Sequence, residues 1–171
     1  MGKLTPVNRS KSNQTKGITV ISPLITHTQP YLLERATALD YEFIYGVARL
    51  TMHDYVARIW GWDEDFQSVR FRDMFSVDEW QLITSAGRRA GCLNVQFRCD
   101  EIFLANIYML PEYQRRGIGS SIIRNLVQIG VETGLPVRLN VLTSNDDAYR
   151  LYVRLGFHVV EASSDKRLMS T

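Results

Sequence analysis

Two arginines and two glycines stand together in the stretch "PEYQRRGIGSSII", and an apolar-periodic run follows at once. A helix start leaves four backbone N–H groups without partners, and the helix dipole adds partial positive charge there. Gly117 and Gly119 let the preceding backbone fold into a concave array of donors. Arg115 and Arg116 add full charges suited to bidentate phosphate contacts. The chemistry on offer is anion binding, with phosphate as the fitting anion. Taken alone, these residues equally describe a plain strand-to-helix turn with its arginines in water. A P-loop is excluded, because GxxxxGK[ST] is absent. A dinucleotide fingerprint is excluded too, since Ile122 stands where the third glycine belongs.

A second set of chemically able residues lies downstream in "NDDAYRLYVRLGF", Asn145 to Phe157. Asn145 can cap a helix, and Asp146 and Asp147 favour its first turn. Ala148, Leu151, Tyr152 and Leu155 fall on one face. Tyr152 sits on that core-facing stripe, where its hydroxyl needs a partner. By pattern it is either a core tyrosine or a proton donor. Glu101, at a strand start, reads as a solvated strand end. His53, on the first helix, reads as a surface or packing residue.

The elements that must hold these residues follow from hydrophobic periodicity. Tyr31 to Thr37 reads as a first strand, and Asp40 as the cap of a helix running from Tyr41 to about Ile59. Asp63 to Phe75 reads as a second helix with Phe66, Val69 and Phe75 on its apolar side. Trp80–Ser85, Ala90–Phe97 and Glu101–Leu110 read as strands with short links, hence an antiparallel meander. The glycine turn then opens a helix with Ile118, Ile122, Leu126 and Ile129 on one face. Gly134 suits its end, and Pro136 prevents its continuation. A strand, a helix from about Asp146 to Leu155, and the strands "FHVVEA" and "KRLMS" complete the chain. Residues 31–171 thus form one mixed α/β (α+β) domain. Residues 1–16 read as a disordered basic arm, and residues 17–30 as an extra edge strand interrupted by Pro23.

Two motifs in this order resemble the GNAT superfamily of N-acetyltransferases. The acyl-CoA signature Q/R-x-x-G-x-G/A reads here Gln114-Arg115-Arg116-Gly117-Ile118-Gly119. The later stretch is similar to N-x-x-A-x-x-x-Y-x-x-x-G-F. The resemblance implies a GNAT-like fold, mainly antiparallel, with two splayed parallel strands around the cofactor. It implies acetyl-CoA as acyl donor, with pyrophosphate held by Gln114 to Ser120 and pantetheine against the strand edge near Met109 and Leu110. Tyr152 would be the general acid that protonates the departing thiolate, with Asn145 close to the pantetheine. The acceptor would be a primary amine of a small molecule or peptide, attacking the thioester directly. The loop after the first helix implies Trp60 and Trp62 in the acceptor pocket, with Tyr108 and Asn140 on the splayed strands. Asn140 stands where some relatives carry a glutamate base, and no replacement base is evident. That gap leaves open a non-catalytic acyl-CoA-binding sensor or regulatory module.

Composition limits the rest. The 171 residues are 45% hydrophobic and 22% charged, as in an ordinary globular chain. A net charge of +2 is too mild for a nucleic-acid partner. No apolar run approaches the roughly 18 residues of a membrane span. No metal-ligand cluster is evident. Cys92 and Cys99, away from both motifs, read as free thiols, which suits a cytoplasmic monomer or homodimer.

Overall fold

A computed structural model describes residues 30–171. The basic arm and almost all of the expected edge strand over 17–30 lie outside the described residues. One seven-stranded sheet organises the chain, in the order β1-β2-β3-β4-β5-β7-β6. The strands are β1 (Leu32–Arg35), β2 (Trp80–Ser85), β3 (Arg88–Phe97), β4 (Ile102–Met109), β5 (Val137–Leu142), β6 (His158–Ala162) and β7 (Lys166–Ser170). Helices α1 (Tyr41–Trp60) and α2 (Glu64–Met74) cover one face, and α3 (Ile118–Thr133) and α4 (Asp146–Arg154) the other. Among the described residues, only β4 and β5 pair in parallel. The last strand inserts between β5 and β6.

Local chemistry accounts for most boundaries. Ala86 and Gly87 both have positive φ, 49° and 72°, the conformation of a tight hairpin turn joining β2 to β3. Gly134 ends α3 in the left-handed conformation. The Asp63 carboxylate accepts from the Phe66 backbone N–H at 2.9 Å and starts α2. Asp40 behaves differently from its expected role. Its carboxylate bonds back to Thr37 N and Oγ1 at 2.8 Å and receives Arg89 at 2.5 Å, and it does not cap α1. The Thr37 hydrogen bonds, then the Arg89 charge, hold that carboxyl below its ordinary range.

Two cores flank the sheet. The larger lies under α3 and α4 and includes Ile118, Ile122, Leu126, Leu139 and Tyr152. The smaller lies under α1 and α2 and includes Ile44, Val47, Trp80, Leu82 and Cys92, with Phe71 and Phe75 packed on it. Phe66 and Val69 are exposed at 61% and 53%, so α2 turns Phe71 inward instead, beside the expected Phe75 at its end. The Trp80 indole anchors that side, lying 5.9 Å from Phe71 and 6.1 Å from Phe75 between ring centroids.

Gly91 marks the closest approach of β3 to β4. A Cβ there would stand 2.1 Å from the Tyr108 carbonyl oxygen. Strands cannot retreat from such a clash without breaking the ladder. Gly91→Ala is therefore expected to cost about 3 kcal/mol, read as a lowered midpoint in chemical denaturation.

Candidate active site

The site begins where β4 leaves β5. The two strands pair only at Ile102↔Val137, Phe103↔Arg138 and Leu104↔Leu139. The register of β4 against β3 shifts there too, from Val95↔Leu104 to Asn94↔Asn106. Ala105 is thus an extra residue, a bulge that bends β4 away. Beyond it, β4 keeps β3 on one side and faces a gap on the other. The Leu110 N–H donates to Ala90 O at 2.8 Å. Antiparallel alternation then turns the backbone groups of Ile107 and Met109 into the gap. Met109 O accepts from Gln114 Nε2 at 2.9 Å. Met109 lies where the resemblance puts pantetheine, but the Leu110 N–H is already engaged, and Ile107 is the alternative.

The glycine turn sits at the mouth of this gap. Gly117 precedes α3 with φ 81° and Arg115 has φ 59°. A Cβ on Gly117 would meet nothing within 4 Å. Glycine is required there by the backbone conformation and not by crowding. Gly119 has room for a methyl group, because a Cβ there would stand 3.9 Å from Ile107 Cδ1. Gly117, at the N-cap of α3, has no side chain to cap the first turn. A cleft of about 420 Å³ opens there, lined by Gln114, Arg115, Gly117, Ile118, Gly119 and Ser120. Arg116 does not line it. Its guanidinium lies over the Tyr113 ring at 5.3 Å, and Tyr113 is the lining residue.

Helix α4 closes the cleft's far wall. Asn145 Oδ1 accepts from the Ala148 backbone N–H at 3.1 Å, so its amide nitrogen is the part left for a ligand. Tyr152 lines the cleft and is 8% exposed. Its hydroxyl has no hydrogen bond among the described residues. Burial pushes the Tyr152 phenol up to about 12. Tyr108, across the gap, is pushed up mainly by burial and then by its neighbours Cys92 and Tyr152, with Arg70 opposing. Its hydroxyl donates to Asn106 Oδ1. Both tyrosines therefore remain protonated donors at neutral pH.

Several expected residues lie elsewhere. Trp60 and Trp62 do not line the cleft. Helix α1 crosses the mouth at Thr51, Met52 and Tyr55, and its rise of about 1.5 Å per residue carries Trp60 past it. Trp62 instead packs on His53, with ring centroids 4.7 Å apart, and donates to Glu64 Oε2 at 2.9 Å. His53 Nδ1 lies 2.9 Å from Asp54 Oδ1, also outside the cleft. Asn140 is exposed on β5, turned to the α1/α2 face, and is not a lining residue. Glu101 is no solvated strand end. It is 8% exposed and ion-paired with Arg98 and Arg138, at the opposite end of β4. Cys92 is not remote: it sits across from Tyr108. It is fully buried and its thiol is pushed up to about 12 by burial, so it offers no thiolate.

Sequence reasoning missed Thr51, Met52, Tyr55, Tyr113, Arg150 and Arg154 among the cleft residues. Arg150 and Arg154, one helical turn apart, carried a readable signal as basic residues beside the polar face of α4. The α1 residues carried none. A second cleft of about 400 Å³ adjoins the first, shares Tyr55, Gln114 and Arg150 with it, and includes Asp54, Arg58 and Asp146. Ser144 Oγ, donating to Tyr55 O at 2.9 Å, ties its two walls together. Among the described residues no cluster of His, Cys, Asp or Glu is placed to hold a metal. No helix among them is long and apolar enough to cross a membrane.

A mixed sheet splayed at its one parallel pair, with an uncapped glycine-started helix at the opening, defines an acyl-CoA-transferase type of fold. The family model for the acetyltransferase (GNAT) family matches residues 43–157, and the chain belongs to that family. It is 43% identical over 56 residues to a thialysine N-epsilon-acetyltransferase of Bos taurus, covering 32% of this chain and 33% of that protein. It is 35% identical over 77 residues to the ribosomal protein bS18-alanine N-acetyltransferase of Escherichia coli K12, covering 44% and 52%. The chain thus spans a third to about half of the length of these curated relatives. The PaiA N-acetyltransferase of Thermoplasma acidophilum, solved with coenzyme A, superposes with a TM-score of 0.67 at 18% identity, over 82% of this chain and 98% of that one.

Proposed function

We propose that the protein is an acetyl-CoA-dependent N-acetyltransferase that moves an acetyl group to a primary amine of a small molecule or peptide. One observation carries this reading. The unbonded hydroxyl of Tyr152 and the uncapped start of α3 line the same cleft. Pyrophosphate binds at Gly117 to Ser120, supported by Arg115. Pantetheine lies in the gap against Ile107 and Met109. The acceptor amine, as the free base, attacks the thioester carbonyl carbon. The C–N bond forms, the C–S bond breaks, and Tyr152 gives its proton to the departing thiolate. The proton shed by nitrogen restores the phenol. Positioning amine against thioester supplies much of the rate without a dedicated base. Cys92, held as a thiol, supports direct attack over an acyl-enzyme route. Two free thiols suit a reducing compartment such as the cytoplasm.

Calorimetric titration with acetyl-CoA, against dephospho-CoA and adenosine, tests the reading. Tight binding with acetyl-CoA and weak binding with adenosine are expected. Equal affinities would remove the pyrophosphate from Gly117 to Ser120. Binding without transfer to any of a panel of amines would favour a non-catalytic acyl-CoA sensor.

A further inference from the structure

We propose that Arg150 and Arg154 of α4 hold the 3′-phosphate of the donor and make the protein select coenzyme A over its dephospho form. The proposal rests on the N-acetyltransferase reading and deepens it, by assigning the one phosphate of the coenzyme which that reading leaves unplaced.

Helix periodicity sets the two arginines side by side. They are four residues apart, about one turn, and both line the cleft that opens at the start of α3. Tyr152, between them in sequence, belongs to the buried core, whereas both arginines are exposed. The α4 wall therefore has an inner side that carries the phenol and an outer rim that is basic. Leu151, three residues before Arg154 and so its neighbour on the helix surface, lines the cleft together with Ile123 from the second turn of α3. The cleft thus runs on past the phosphate turn between apolar residues of α3 and α4. With pantetheine in the gap between β4 and β5 and pyrophosphate at the turn, the nucleoside end of the coenzyme takes this remaining stretch, beside the basic rim.

Charge singles the pair out. Arg115 and the N–H groups at the start of α3 already answer the pyrophosphate. Asp147 is the one acid among the residues lining this cleft, and its Oδ1 accepts from Arg150 Nη2. That contact engages one nitrogen of the Arg150 fork and leaves other donors free. Arg154 has no ion pair among the described residues. Like charges at i and i+4 repel, so an anion lying between the two guanidinium groups relieves their repulsion. A phosphate monoester carries about two negative charges at pH 7 and three acceptor oxygens. Such a group suits two bidentate forks, and the 3′-phosphate is the coenzyme's one monoester. The adjoining second cleft sets Asp54, Asp146 and Asp147 against Arg58 and Arg150, and is the poorer host for a dianion.

Calorimetric titration of the full chain with coenzyme A and with dephospho-coenzyme A, which differ only in the 3′-phosphate, reads this subsite. The wild type should bind coenzyme A tighter by about tenfold or more. Arg154→Gln should lose most of that preference, with affinity for dephospho-coenzyme A held within about twofold. The retained dephospho-coenzyme A affinity also shows that the variant is folded. Equal affinity of the wild type for the two ligands would overturn the proposal, whatever the variant does. So would an undiminished preference once Arg150→Gln is combined with Arg154→Gln, or an equal weakening of both ligands in a folded variant. The N-acetyltransferase reading fails on a different outcome, dephospho-coenzyme A binding no better than adenosine, so the two failures are distinguishable.

Discussion

Gly117→Val abolishes useful coenzyme A binding. This is the expected result of placing a β-branched residue at φ 81°, where such residues are strained by about 1–3 kcal/mol. The backbone relieves that strain by rotating, and rotation turns the donors of Ile118, Gly119 and Ser120 away from the phosphates. Each charge-assisted hydrogen bond lost is worth about 1.5–3 kcal/mol. Two such losses weaken binding by roughly 100-fold or more. Calorimetry on the variant reads the loss directly. Gly119→Ala is the internal control, because its methyl group finds 3.9 Å of clearance from Ile107 and its φ is not positive. Near-normal affinity in Gly117→Val would place the phosphates elsewhere.

Tyr152→Phe separates chemistry from binding. The ring remains, so packing against Phe157, 5.9 Å away between centroids, is retained. Only the unbonded hydroxyl is lost. Turnover should fall by about 10²–10⁴, the usual contribution of general acid catalysis, with coenzyme A affinity within about twofold. The pH profile adds a second check. Burial pushes the phenol up to about 12, so its deprotonation cannot produce an alkaline limb near neutrality. A limb near pH 10 that vanishes in the phenylalanine variant would contradict the buried setting. An unchanged rate would leave Tyr152 as a core residue and nothing more.

The balance between pattern and packing differs from residue to residue. The start of α3, its left-handed glycine at 117 and its end at Gly134 follow from local rules about donors and φ, and the chain displays them in order. Asn145 is legible for the same reason, since a cap acts within three residues. Phe66 is misread from pattern because the apolar stripe of a short, charge-rich helix is ambiguous; Phe75 is legible, and only contact with Trp80 selects Phe71. Glu101 is misread because its partners, Arg98 and Arg138, include one 37 residues away on a different strand. That Trp60 and Trp62 lie past the cleft is not legible either, because adjacency to a loop does not say how far a 20-residue helix carries its end.

By itself, then, the sequence determined the family, the order of elements, the glycine-started helix and the tyrosine on the inner stripe of α4. These depend on spacings of one to eight residues, over which backbone geometry is nearly invariant. Tertiary structure alone decided that β4 bulges at Ala105, that Ile107 rather than Leu110 faces the gap, and that α1 lends Thr51, Met52 and Tyr55 to the cleft. Each of these depends on strand register and on which side chains meet across the sheet, and neither is encoded at any fixed distance along the chain.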